Sequence, residues 1–442
     1  MTDIEWKETA PGVYERPADE IESFYNFIGS LGAPFNRQQW AITASIKLRF
    51  ESADVISQVK EAWTTLRYDH PTLASNTDGT RKVYHVGNDE ELERWLKETF
   101  IVNDVSVTAK QLFSTLQPVK QVTLHLLLKS NELVLQSPHD RLDGIGCILF
   151  FDNMLRVLAS PRKVYFGDEA KNLSPPLKVA ARAPEPSDEQ IMMLTKYMEH
   201  WVGSLPSVGL AISGKGQIPG ATRIRQVTLS ENQTRMLVTT AKGLGLTPTH
   251  VVHAATILAA KKHGNHNDSA KYASFGLFNM RHQCEPPFSS SKHPVSVYSY
   301  GWPVTVASGD FATISAQLKK YYREYAADQD SISVSIPYAK KLKSMLSVPP
   351  PHPPTDPILS SLGIVDSRLQ KAYGPIEVQD FWFAVDMLTY QVEVFVWTFQ
   401  GKLTIEACYN EEFHHDASIE EFLAMLKDIL FAELKIIEKK LI

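Results

Sequence analysis

The sequence predicts an α/β fold in two halves of similar size. Three observations carry this. The chain has 442 residues, too many for one ordinary core, so two domains of roughly 150–200 residues are expected. Period-two apolar runs alternate with helical apolar stripes. The order strand, helix, strand read in the first half returns in the second.

Composition narrows the function classes. With 43% hydrophobic and 21% charged residues, the chain reads as a globular protein. Its net charge is −5 and it has no Lys/Arg run, so a nucleic-acid partner is not expected. Its three cysteines, Cys147, Cys284 and Cys408, include no C-x-x-C pair, which argues against a disulfide framework and a cysteine zinc site. The opening MTDIEWKETAPGVYERPADE lacks the apolar segment of a signal peptide. No apolar run is long enough to span a membrane. A cytoplasmic protein is the expectation.

In the first half, Trp40–Phe50 alternates as a strand. The next segment places Val55, Ile56, Val59, Ala62, Trp63 and Leu66 on one helical stripe. Pro71 ends that helix, because the residue before a proline avoids helical geometry. QVTLHLLLKSNELVLQ reads as a hairpin turning at Ser130-Asn131, with Leu133-Val134-Leu135 more fully buried. A helix apolar almost all round follows, through Ile145, Ile148, Leu149, Phe150, Phe151, Met154, Leu155 and Leu158, so it should cross the interior.

Asn172–Gln190, rich in Pro, Ala and charge, is the linker candidate. Residues 1–175 are therefore expected as one domain, 176–200 as linker and crossover, and 201–442 as the second. SGKGQIPGATR lacks the G-x-x-x-x-G-K-[ST] spacing of a phosphate loop. The second half opens with a strand in TRIRQVTLS, a helix from Thr249 to His263 and a strand in KYASFGLFNMR. Ser347–Pro357 is too proline-rich for helix or sheet. YQVEVFVWTFQGKLTIEACYN reads as a long hairpin turning at Gln400-Gly401. Val392, Val394 and Val396 face one way, and Glu393, Phe395, Trp397 and Phe399 the other. Ser418 and Glu421 have the spacing of a capping box for the last helix.

SPHDRLDGIG, Ser137 to Gly146, carries the candidate chemistry. Acyl transfer to an alcohol needs a base near neutral pKa, held in one orientation, and a donor for the oxyanion. His139, at a buried strand end before the buried helix, meets the first need. Two readings stand side by side: His139 as base, or as a histidine of a strand-to-helix loop. Asp143 needs no catalytic role to be explained, since aspartate is a common N-cap. Gly144 lets the chain turn where a β-carbon would crowd. His125, His250 and His253 read as packing or capping residues, His414-His415 as surface, and Cys147 as a small buried hydrophobe. Lys215 and Arg223 read as solvated loop residues.

H-x-x-x-D-G after a hydrophobic strand, a third of the way along, resembles the superfamily of BAHD acyltransferases and peptide-synthetase condensation domains. ADVISQVKEAWTTLRYDHPTLASN, LFNMRHQ, SSLGIVDSRL and VWTFQGKLTIEACYNEEF resemble further segments of it, so the likeness covers most of the chain. Within it the likeness is strongest to fungal secondary-metabolite O-acetyltransferases of the trichothecene kind. The resemblance implies two chloramphenicol-acetyltransferase-like domains, each a mixed sheet flanked by helices, with a channel between them. It implies His139 and Asp143 as the catalytic pair, with His139 the general base. Asp143 would point away from substrate and pair with Arg281, and Gly144 would leave room for the acyl donor. Ser361, in the segment matching the family's S-N-x-G, would contact substrate; Tyr300 and Trp302 in YSYGWPV read either as core aromatics or as lining of the acceptor channel. Acyl-coenzyme A, most simply acetyl-CoA, would be co-substrate to a hydroxylated small molecule, with no metal, bound cofactor or membrane.

Three departures qualify the likeness. Pro138 stands where many condensation domains have a second histidine. QDFWFAVD lacks the glycines of the plant D-F-G-W-G motif. Ser361 replaces the asparagine of the usual S-N-x-G. Two alternatives stay open: a condensation-type enzyme drawing its acyl group from a carrier protein, and a catalytically silent binding protein.

Overall fold

The computed structural model describes residues 4–78, 80–326, 330–348 and 353–436. Within them lie two six-stranded sheets and a small four-stranded one. The first large sheet runs, in spatial order, Ala372–Tyr373, Ile376–Val385, Ile42–Arg49, Glu132–Ser137, Thr123–Leu127 and Phe100–Asn103. The second runs Ser299–Val306, Tyr272–Asn279, Pro357–Ile364, Val392–Phe399, Lys402–Asn410 and Thr222–Thr228. Both mix parallel with antiparallel pairs.

The second half of the chain lends strands to the first sheet. Ile376–Val385 comes from the second half, yet it pairs antiparallel with Ile42–Arg49 in the first sheet, Phe383 opposite Ala44. A cut in sequence at 176–200 therefore separates strands that share hydrogen bonds.

The hairpin Val392–Asn410 explains how the two cores meet. Val392, Val394 and Val396 are buried in the core around the second sheet. Phe395, Trp397 and Phe399, on the other face, are buried in the core of the first. Strict alternation with both faces apolar builds a strand that serves two cores at once.

The helix Gly144–Ala159 is capped by Asp143 and buried on nearly every side. It packs against Val55–Asp69, where Trp63 and Leu66 are buried while Ile56 turns outward. The last helix departs from expectation. It begins at Asp416 with His415 as N-cap and no side-chain cap, so Ser418 and Glu421 form no capping box. The Ser418 hydroxyl instead meets His263 Nε2 at 3.0 Å. His414 is fully buried, its Nε2 2.7 Å from the Tyr390 carbonyl; only His415 is at the surface. A helix at Glu231–Gly243 went unread. Part of the proline-rich loop, 349–352, lies outside the described residues.

Candidate active site

His139 sits in the turn between the strand Glu132–Ser137 and the helix Gly144–Ala159. That turn is held from two directions. On one side, Asp143 accepts the Gly146 N–H at 2.7 Å and the Tyr298 N–H at 2.9 Å. Arg281 Nη1 donates to both Asp143 oxygens at 2.8 Å. The carboxylate is thus committed to four bonds, and both partners of the ion pair are buried. Asp143 positions the loop and has no oxygen left for His139. The pairing with Arg281 joins the two halves of the chain.

On the other side lies a buried charge network. Lys82 Nζ donates to the Asp140 carbonyl, next to His139. Lys82 also meets Glu22 at 2.9 Å, and Arg16 grips the two Glu22 oxygens at 2.7 and 2.6 Å. Arg16 and Lys82, both fully buried, hold the Glu22 carboxyl well below the usual carboxylate range despite its burial. Glu22 lies one turn before Tyr25 on the helix Glu20–Ser30. The network therefore sets that helix against the loop, and the Tyr25 ring stacks on His139.

Gly144 is the first residue of its helix, with ordinary helical backbone. Its glycine identity reflects close approach and not the turn expected from sequence. A β-carbon there would stand 2.6 Å from Leu362 Cδ2. Leu362 is the extra residue of a β-bulge between Ser361 and Gly363, where Gly363 takes φ +70°. The bulge aims Leu362 at the histidine loop.

His139 borders two cavities. One is lined by residues of both large sheets and is mostly apolar. The other is mixed, with polar groups that include Asn76, Lys120, Gln121 and Arg141 beside Pro118, Val119 and Pro138. They share Tyr25 and His139 and no other lining residue. Burial lowers the His139 pKa, opposed by its own backbone and by Asp143 and Asp140, which favours the neutral imidazole. Its Nδ1 has no hydrogen-bond partner among the described residues.

Of the other residues singled out by sequence, Ser361 and Tyr300 line the apolar cavity. The Ser361 hydroxyl is 2.9 Å from that of Thr249. Trp302 does not line it. It is packed one layer back against Tyr197, Tyr300 and Tyr338, with ring centroids 5.7, 6.0 and 4.8 Å away, because its place two residues along the strand carries it past the cavity wall. Cys147 is buried, and burial pushes its thiol well up. His253 is held between the hydroxyls of Tyr322 and Tyr272 at 2.9 and 3.1 Å. Arg223 pairs with Glu411. Among the described residues no group of His, Cys, Asp and Glu side chains is arranged to hold a metal, and no helix is long and apolar enough to cross a membrane.

Sequence reasoning missed Tyr25, Lys82 and Glu393. Only Glu393 left a signal: a carboxyl on the aromatic face of a strand whose other face is all valine.

The chain is 27% identical over 465 residues to acetyltransferase pigO of Monascus ruber, covering 98% of both. It is 27% identical over 449 residues to O-acetyltransferase pigM of the same organism, covering 98% of this chain and 87% of the relative. Among solved structures it superposes on TRI3 trichothecene 15-O-acetyltransferase of Fusarium sporotrichioides with a TM-score of 0.85, at 18% identity, over 97% of this chain and 98% of that one. The condensation domain of the monacolin K polyketide synthase MokA follows the same fold with a TM-score of 0.69, at 12% identity, over 96% and 98% of the two chains. Over nearly its whole length the chain is similar to these two named acetyltransferases. Its fold is that of the two solved structures, two chloramphenicol-acetyltransferase-like units, as the H-x-x-x-D-G resemblance implied. No protein-family model matches it.

Proposed function

We propose that this acyltransferase moves an acetyl group from acetyl-CoA to a hydroxyl of a fungal secondary metabolite, with His139 as general base. The observation that carries the reading is the position of His139 between two cavities, one mostly apolar and one with a larger polar share. The more polar one suits the thioester's carrier arm, and the apolar one suits the alcohol. His139 takes the hydroxyl proton as the oxygen attacks the thioester carbonyl. A C–O bond forms, the tetrahedral intermediate collapses, the C–S bond breaks, and the imidazolium returns its proton to the departing thiolate. Arg281 and Asp143 hold the loop, and Ser361 donates to the oxyanion, a role supported by its hydroxyl's place in the cavity that His139 borders. The names of the relatives, acetyltransferase and O-acetyltransferase, support both the acyl group and the alcohol.

The test is release of free CoA thiol from acetyl-CoA in the presence of hydroxylated acceptors. His139→Ala should lower the rate by about 10²–10⁴-fold with an unchanged melting temperature. Thiol release only with an acylated carrier protein would move the donor assignment to that carrier. Full activity in His139→Ala would end the reading.

A further inference from the structure

The apolar cavity holds a carboxyl that proton transfer at His139 does not use. Glu393 and Phe395 share one face of their strand, and both line the cavity. Ile358 and Ser360, paired with them on the neighbouring strand, line it too. Glu393 is 4% exposed. Among the described residues nothing gives its carboxyl a hydrogen bond or a cation, and no Lys or Arg lines the cavity. The Tyr338 hydroxyl, also in the wall, is buried without a partner among the described residues. Both groups lie within electrostatic reach of Tyr25, the residue stacked on His139.

Two unpartnered polar groups in one apolar wall are unfavourable in the empty protein. They make sense when a ligand completes them. Burial, with the Asp356 carboxyl nearby, pushes Glu393 up to about 8, and burial pushes Asp356 up to about 6. The other ionisable groups that Glu393 influences are Tyr25, Tyr272 and Cys408, all acids. At neutral pH the Glu393 side chain is therefore an O–H donor, as is Tyr338.

We infer that Glu393 binds a carbonyl oxygen of the acceptor, an otherwise apolar alcohol whose reacting hydroxyl lies at His139, with the Tyr338 hydroxyl a further donor in the same wall. A neutral O–H donor meeting a carbonyl avoids the desolvation of burying two ions. The inference rests on the proposed function in taking this cavity as the acceptor's.

The test needs no acyl donor. A hydroxydecalone, the decalol lacking the ketone, and an aminodecalol on the same skeleton are titrated by calorimetry at neutral pH. The wild type should bind the hydroxydecalone roughly tenfold more tightly than the decalol. Glu393→Gln, which keeps a donor, should retain that preference; Glu393→Leu should abolish it and Tyr338→Phe reduce it. Thermal melting checks that each variant folds. Equal affinities in the wild type, a preference that survives Glu393→Leu, tightest binding by the aminodecalol, or no saturable binding of any of the three would each overturn the inference. His139→Ala should keep the preference. A retained preference in a protein that transfers no acyl group would sink the proposed function, and with it the naming of the ligand as acceptor, while leaving Glu393 as a carbonyl-binding group.

Discussion

The Tyr25 ring lies flat on that of His139, centroids 4.0 Å apart and planes 5° from parallel. A stack fixes the plane of the imidazole, and with it the direction of its in-plane nitrogen lone pair. Tyr25 belongs to a helix anchored by Glu22, so the orientation of His139 is set by a residue over a hundred positions upstream.

The stack predicts a selective loss. Tyr25→Leu should lower kcat up to about tenfold, since aromatic pairs contribute about 0.5–1.5 kcal/mol, with KM for the acyl donor little changed. Tyr25→Phe should restore most of the rate, because the ring and not the hydroxyl does the holding. Steady-state thiol release separates the two parameters.

The Asp143–Arg281 pair predicts a large loss of stability. Arg281→Met leaves a buried carboxylate with two backbone donors and no cation, and should destabilise the fold by about 3–5 kcal/mol. Asp143→Asn keeps a cap for the Gly146 N–H but strands the guanidinium. The double variant should lose less than the sum of the two singles. Urea denaturation of all four proteins reads this coupling.

Gly144→Ala should be destabilising by about 1–3 kcal/mol through overpacking against Leu362. Leu362→Ala in the same chain should recover part of the loss by emptying the space the methyl enters. Recovery in melting temperature tests whether the glycine is there for Leu362.

Glu393 predicts a pH dependence. Its pKa is raised from 4.5 to about 8 on folding, so over that window the folded state holds the extra proton. Stability from this group is fully present below the unfolded value and is lost as pH rises through the folded one, by about 1.4 kcal/mol per pH unit. Glu393→Gln should therefore gain stability relative to the wild type as pH is raised from 5 to 8. Denaturation midpoints of both proteins across that range check the sign. A constant difference would contradict it.

Much of this was legible in the chain. The Gly144–Ala159 helix announced itself through an aspartate cap and an unbroken apolar surface. The Val392–Asn410 hairpin declared both of its faces by alternation. The Asp143–Arg281 partnership came only through resemblance, because no local pattern links residues 138 positions apart. Tyr25 was hidden for a different reason. Ile21, Phe24, Tyr25 and Ile28 form an apolar helix face, and such a face reads the same whether it covers a core or a cavity. The false capping box at Ser418 shows the limit of spacing alone: the helix had already begun at Asp416, and the hydroxyl was taken by His263.

The lent strand has a consequence for how the protein comes into being on the ribosome. The neighbour that covers the outer edge of Ile42–Arg49, Ile376–Val385, is made more than 300 residues later. Until then that edge stays bare and able to pair with the wrong chain. A nascent chain halted before residue 376 should thus be a client for chaperones, and splitting the gene at the linker should yield two sticky fragments instead of two working modules.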